Sequence, residues 1–439
     1  MFTAKPRRLT ALVAATAAVA MLSACSAGSL GPSDEEGVTT LSFLVDNEAS
    51  TVKTAEALAA AFSAANSDVK IDIETRPQGG EGDNIVKTRL ATGDMTDIFQ
   101  YNSGSLFQAL NPQQNLLPLD DQSYVDALDP AFKVTVTTEG KLYGVPSGGA
   151  MGGGMLYNKR VYAELGLTVP TTWADFMANN AAIAKAGPAP VVQTYQDTWT
   201  SQVTVLADFH NVLTAQPDFA ERFTANQAKF ATTPAALRSF QKLQELHDAG
   251  YVNEGFASLK LEQGLKLLAE GEGVHFPMLT FTVATLAAAH PDKVADIGFF
   301  ALPGDDAAGN GLTVWEPGAM YIPTTTTDAR LEAAKRFLTF VASKEGCDVM
   351  AGASTPSGPF VVAGCTLPDT VPQAIKDMQP YFDGKKTSPA LEFLSPVKGP
   401  ALEQITVEVG SGIRPAIEGA ELYDQDVEKQ AQQLGLPGW

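Results

Sequence analysis

Residues 140–176 read GKLYGVPSGGAMGGGMLYNKRVYAELGLTVPTTWADF, and this stretch decides how the chain folds. Leu142, Tyr143 and Val145 make a short apolar strand that Pro146 interrupts. Five glycines then fall between Gly148 and Gly154, broken only by Ala150 and Met151. The chain resumes as a strand at Met155-Leu156-Tyr157-Asn158. From Lys159 to Leu165 apolar residues recur three and four apart, which predicts an amphipathic helix capped by Gly166. Thr172 is placed to cap a further helix that carries Trp173 and Phe176. So many glycines cost chain entropy and are useful only where backbone bends or comes close to something. A phosphate cradle does not fit, because no Lys-Ser/Thr pair follows and the next element is a strand. A chain crossing between two lobes, along the floor of a cleft, fits better; an ordinary glycine-rich loop is the alternative.

Upstream, strand and helix alternate. Thr40 to Val45 reads as an apolar strand, Thr51 to Ala65 as a helix, and Val69, Ile71 and Ile73 as a second strand. A helix around Ile85 to Leu90 ends at Gly93, and Asp97 to Tyr101 is a third strand. This alternation predicts an α/β lobe with a largely parallel sheet. Ligands bind such sheets beyond the carboxyl ends of the strands. Asp46, Asn47 and Glu48 after the first strand, and Gln100, Tyr101 and Asn102 after the third, are therefore candidate ligand contacts. Acids at 46–48 have a second reading, as favourable charges before a helix N-terminus. Downstream, helices dominate to Gly250, with Tyr195 and Trp199 in a polar loop. A strand through Met278 leads to Phe281, and two further strands flank the turn 304–311.

Four segments resemble, in order and spacing, the signature of one family: Tyr143-Gly144-Val145-Pro146, Leu156-Tyr157-Asn158-Lys159, Glu164-Leu165-Gly166-Leu167, and Pro170 through Phe176. The family is the extracellular sugar-binding lipoproteins of ABC importers, relatives of maltose-binding protein. Leu90 to Phe99 is similar to its Gly-Asp-x-x-Asp-[Val/Ile] segment, after which residues face sugar. Gly271 to Met278 keeps only the general shape of its Gly-x-x-Ala-Met segment, which leaves the role of Phe281 open. The resemblance implies an α/β, two-lobed periplasmic-binding-protein-like fold with a hinged inter-lobe cleft. It places residues 38–146 with about 297–320 in the first lobe, and about 147–296 with 321–439 in the second. It also implies closure on a carbohydrate, delivery to the permease subunits of an ABC transporter, and action as a monomer without a cofactor.

The N-terminus is consistent with that reading. Lys5, Arg7 and Arg8 precede an apolar run from Leu9 to Leu22, which is shorter than the roughly 20 residues needed to span a bilayer. Leu22-Ser23-Ala24-Cys25 resembles a lipobox, with 1–24 a signal peptide, Cys25 the lipid attachment site and 25–37 a tether. Such an anchor holds a protein on the outer face of the membrane without a spanning helix. The net charge of −20 argues against nucleic acid and against a basic membrane-binding face. Of three cysteines, Cys347 and Cys365 remain once Cys25 is set aside. Outside the cell they are readily a disulfide, with two buried thiols as the alternative.

The four histidines, His210, His247, His275 and His290, lie in no metal-ligand or catalytic motif. Nucleophile elbows, HExxH and P-loop patterns are absent, so a binder is favoured over an enzyme. Neutral sugars need flat aromatics for their faces and planar polar groups for their hydroxyls. Tyr195, Trp199, Phe281, Trp315 and Glu316 join the six residues above as candidates. Two alternatives stay open: the same architecture holding a polyamine, siderophore or peptide, and a tethered glycoside hydrolase.

Overall fold

A computed structural model describes residues 37–439; the predicted signal segment, Cys25 and nearly all of the tether lie outside the described residues. The strands in chain order are β1 (Thr39–Asp46), β2 (Val69–Arg76), β3 (Ile98–Tyr101), β4 (Thr137–Thr138), β5 (Lys141–Leu142), β6 (Val145–Pro146) and β7 (Met151–Asn158). They continue as β8 (Ala189–Val191), β9 (Gly273–Leu279), β10 (Ile297–Ala301), β11 (Leu312–Trp315), β12 (Ala319–Tyr321) and β13 (Thr387–Pro389). Two sheets organise the molecule. The first is five-stranded, in the order β2-β1-β3-β12-β6, with β1 parallel to both β2 and β3. The second is six-stranded, in the order β13-β11-β7-β9-β8, with β10 also paired to β7.

Each sheet is covered by helices whose apolar stripe the sequence carries. The helix Ala49–Ala65 buries Ala55, Leu58, Ala59 and Phe62. Phe62 and Phe43 of β1 both meet Phe337 edge-on, at 5.3 and 5.8 Å between ring centres. The left-handed glycine cap expected at Gly166 is present, with φ of 66°. Thr172 Oγ1 accepts from the Asp175 N–H at 3.1 Å, as an N-cap should.

The glycine stretch behaves differently from its expectation in one respect. The chain does cross from β6 in the first sheet to β7 in the second, but the glycines after Met151 belong to β7 itself. A Cβ at Gly153 would lie 2.3 Å from the Trp315 ring, and one at Gly154 would lie 2.4 Å from the Phe300 carbonyl oxygen. Bare backbone here lets bulky neighbours on β10 and β11 close over the strand. Gly153→Val is therefore expected to cost about 1–3 kcal/mol by overpacking, read as a lower denaturation midpoint; an unchanged midpoint would contradict this packing role.

Strand pairing also corrects the expected division of the chain. The expected first lobe includes residues 297–320, yet β10 and β11 pair antiparallel with β7 in the second sheet. The expected second lobe includes residues 321–439, yet the helix Asp328–Val341 packs on β1, and Lys344–Ala353 packs on Ala49–Ala65. The chain changes sheets at Glu316–Gly318, between β11 and β12, and returns later. Gly149 bridges to Phe360, and the Phe299 N–H then donates to Asp377 Oδ2 at 2.9 Å. Three segments thus join the lobes: 147–150, 316–318 and the chain beyond Phe360. Buried strands have the same apolar character in either sheet, so periodicity could not assign them.

Candidate functional site

Where the crossings meet the first sheet, a cleft opens with a cavity of about 820 Å³. One wall is the first turns of the helix Ala49–Ala65, which project Ser50, Thr51, Lys53 and Thr54. Glu48 caps that helix, accepting from the Thr51 N–H at 3.0 Å and from the Ser50 hydroxyl. Burial pushes the Glu48 carboxyl up, but the hydrogen bonds from Ser50 and Thr51 outweigh it and hold it below its ordinary value. The floor is Gln100 at the end of β3 and the crossings 147–149 and 317–318. Gln100 Nε2 donates to Ser147 Oγ at 3.0 Å, tying the first sheet to the first crossing.

The opposite wall is the loop Ser354-Thr355-Pro356-Ser357 with Phe360, following the helix Lys344–Ala353. Thr54 Oγ1 and Ser354 Oγ share a hydrogen bond at 3.1 Å across the cavity edge. Cys347 and Cys365 are joined as a disulfide, with Cα atoms 5.9 Å apart, and so anchor both ends of this loop region. Converting both to serine is expected to cost about 3 kcal/mol, from the entropy of an unclosed loop of this length. Ligand affinity should fall with it, because the serine-rich wall is no longer held. Denaturant titration and calorimetry of the double variant check both effects; native affinity would show that the wall is positioned without the disulfide.

The candidates distribute unevenly around this cleft. Glu48 and Gln100 line the cavity; Asp46, Asn47 and Asn102 do not. Asp46 Oδ1 accepts from the Glu48 N–H at 2.9 Å and shapes the turn, while the Asn102 carbonyl oxygen accepts from the Tyr321 hydroxyl at 3.0 Å. Tyr101 is buried, with the Arg76 guanidinium 5.6 Å from its ring centre. Tyr195 is also buried, packed against Phe256 and over Gly410. Trp315 is buried over Gly153 with its Nε1 donating to Glu392 Oε1 at 2.8 Å. Its neighbour Glu316 is 4% exposed, and its Oε2 has no hydrogen-bond partner. Burial, with Asp129 adding to it, pushes the Glu316 carboxyl up to about 8. These four belong to the packed interior rather than the cleft lining.

Trp199 and Phe281 form a pair on the second lobe, their rings 5.9 Å apart and tilted by 31°. Phe281 is 39% exposed, and Ala284, one helical turn further on, lines the cavity. The hydroxyls of Ser50, Thr51, Thr54, Ser354, Thr355 and Ser357 escaped sequence reasoning. The polar run Ser354-Thr355-Pro356-Ser357 was a visible signal, but only the folded chain sets it against the helix of residues 49–65. Among the described residues no group of three or more His, Cys, Asp or Glu could hold a metal ion. Among them, too, no helix is long and apolar enough to cross a membrane.

Two sheet-centred lobes, joined by three crossings around a polar cleft, define the architecture of a hinged solute-binding protein. The sequence model of the bacterial extracellular solute-binding proteins matches residues 46–346, and the chain belongs to that family. The family consists of substrate-binding proteins that serve ABC importers. The multiple sugar-binding protein of Streptococcus mutans is 23% identical over 329 residues, covering 73% of this chain and 75% of that relative. Ligand-free RafE from Streptococcus pneumoniae superposes with a TM-score of 0.76 at 18% identity, over 91% of this chain and 99% of that one. RafE in complex with raffinose gives 0.70 at 18% identity, over 90% of this chain and all of that one.

Proposed function

We propose that this protein captures a sugar or oligosaccharide outside the cell and hands it to an ABC importer, as a monomer held to the membrane by a lipid on Cys25, and catalyses no reaction. The observation that carries the reading is the composition of the cleft. Hydroxyls and one amide dominate its polar lining, Glu48 and Lys53 balance in charge, and an aromatic pair stands beside it. A neutral polyol matches that set better than a polyamine, which would need a surplus of acids. The multiple sugar-binding relative and raffinose-bound RafE point to the same ligand class.

The second lobe contributes little to the cavity wall beyond Met151 and Ala284. A ligand seated on the first lobe would gain Trp199 and Phe281 only when the lobes close, and that differential contact is what drives closure. Thermal shift with mono- and oligosaccharides, polyamines and peptides, followed by calorimetry, tests the reading. A ligand that binds only the folded state adds about 2.7 kcal/mol at a hundredfold excess over Kd. Stabilisation by one glycan class is expected, with affinity about two- to tenfold weaker in Trp199→Ala, as loss of an aromatic contact worth about 0.5–1.5 kcal/mol predicts. Stabilisation by polyamines or peptides alone, or turnover of the glycan, would overturn it.

A further inference from the structure

The cleft is not polar throughout. Its hydroxyls stand at the rim, on half-buried or exposed residues in the first turns of the helix Ala49–Ala65 and in the loop 354–357. Behind them the lining turns apolar and buried: Ala55, Met350, Ala353 and Phe360 from the two walls, and Met320 from the floor. Chain geometry brings these side chains together. Thr54 and Ser354 share their hydrogen bond at 3.1 Å, so the neighbouring alanines, Ala55 and Ala353, come together where the helices Ala49–Ala65 and Lys344–Ala353 pack. Met350 stands one turn before Ala353 on the same helix face. Met320 pairs with Gln100, and Phe43 with Ile98, so alternation puts the Met320 and Phe43 side chains on one face of the sheet. That is the face the helix Ala49–Ala65 covers, as the shared contact of Phe43 and Phe62 with Phe337 shows.

That arrangement selects what can enter. Each of the five apolar residues keeps between 3 and 9% of its surface open to solvent. Together they expose enough to cover a methyl group and too little to cover the face of a sugar ring. A hydroxyl pushed there would give up its water without gaining a partner, since Thr54 and Ser354 bond each other and Gln100 Nε2 is bound to Ser147. A methyl group would gain by leaving water, and the two flexible methionine side chains can fit its shape. We propose that the ligand is a sugar carrying a methyl-bearing substituent, as a deoxy position or an acetyl group, which the crevice of Ala55, Met320, Met350, Ala353 and Phe360 accepts while the rim holds the ring hydroxyls. The inference rests on the sugar-binding reading of the cleft and narrows it.

Calorimetry of the protein with matched sugars tests this: N,N′-diacetylchitobiose beside cellobiose, acetylated beside deacetylated xylotriose, and L-fucose beside L-galactose. In at least one pair the methyl-bearing member is expected to bind roughly fourfold tighter or more, as burial of one methyl group predicts. Ala353→Leu, which fills the crevice with methyl groups of its own, should bring the two affinities of that pair together. Met350→Gln, which sets an amide in the crevice, should narrow the same gap, and it decides where Ala353→Leu binds neither member. Equal affinities within every pair that binds, or a preference for the unsubstituted members, would overturn the crevice and leave the sugar reading standing. A preference that survives both variants would place the methyl group elsewhere and overturn it too. Binding of none of the six sugars would also overturn it, and stabilisation by polyamines or peptides instead would sink the sugar reading itself.

Discussion

Lys242→Met is expected to lower the unfolding free energy by about 3–5 kcal/mol, a large fraction of what a domain has. Methionine fills most of the volume, so the loss is electrostatic. Lys242 and Asp208 are both 1% exposed, and removing the ammonium strands the carboxylate in the interior. The pair also fastens three elements. Asp208 sits between two short helices, Lys242 is on the helix Pro234–Asp248, and its Nζ reaches the Pro303 carbonyl oxygen after β10. Replacing both partners, as in Asp208→Leu with Lys242→Met, should recover much of the loss, because two apolar groups leave no charge unpaired. Denaturant unfolding of both single variants and the double variant reads this out. A native-like midpoint for Lys242→Met would show that Asp208 is stabilised by something other than this lysine.

Glu316→Gln is expected to change the pH dependence of stability. Folded Glu316 has its carboxyl pushed up from 4.5 to about 8 by burial, with Asp129 adding to it. Below pH 4.5 both folded and unfolded chains hold the proton. From there to about 8 only the folded chain does, so stability falls as pH rises, by roughly 1.4 kcal/mol per pH unit. His275 acts in the opposite sense. Burial pushes it from 6.5 down to about 3, so its contribution falls as pH drops through that window. Its neutral ring is held between the Pro190 carbonyl oxygen at 2.9 Å and the Tyr162 hydroxyl at 2.6 Å. Between pH 4.5 and 6.5 these two slopes oppose each other, and above 6.5 only the fall from Glu316 remains. In Glu316→Gln the fall above pH 6.5 should vanish and a rise between 4.5 and 6.5 should emerge. Thermal melts across this range check it, and parallel profiles for the two proteins would sink the assignment. Glu316 lies in the crossing next to Pro317 and Gly318, which line the cleft, so charging it places a charge in one of the segments that join the lobes.

Much of the local structure was legible. The run from Thr40 to Tyr101 announced parallel strands and helices because its apolar residues recur at periods of two and of three to four. Gly93 and Gly166 announced helix ends because left-handed backbone favours glycine, and both adopt it, at φ of 73° and 66°. The rule that clefts open beyond strand ends points to six residues, of which Glu48 and Gln100 line the cavity while Asp46, Asn47, Tyr101 and Asn102 do not. Trp315, Tyr195 and Glu316 are buried away from the cavity lining, and one shared reason kept that out of reach of the sequence. Polar neighbours in sequence suggested loops, while the groups that cover these side chains come from far along the chain. Glu392 holds the Trp315 indole, and Gly410 leaves room for the Tyr195 ring.

By itself, then, the sequence determined the alternation of strands and helices, their caps, the likeness to solute-binding proteins and the glycine-rich crossing after Pro146. Those are set by short-range periodicity and by backbone angles that few residues tolerate. The tertiary structure alone decided that 297–315 joins the second sheet while 328–353 covers the first. It also decided that a serine-rich loop faces the helix of residues 49–65, and that Glu316 and the Asp208–Lys242 pair are sealed from water. Periodicity states that a face will be buried, but not which distant element buries it; that choice rests on complementary shape and charge between segments hundreds of residues apart.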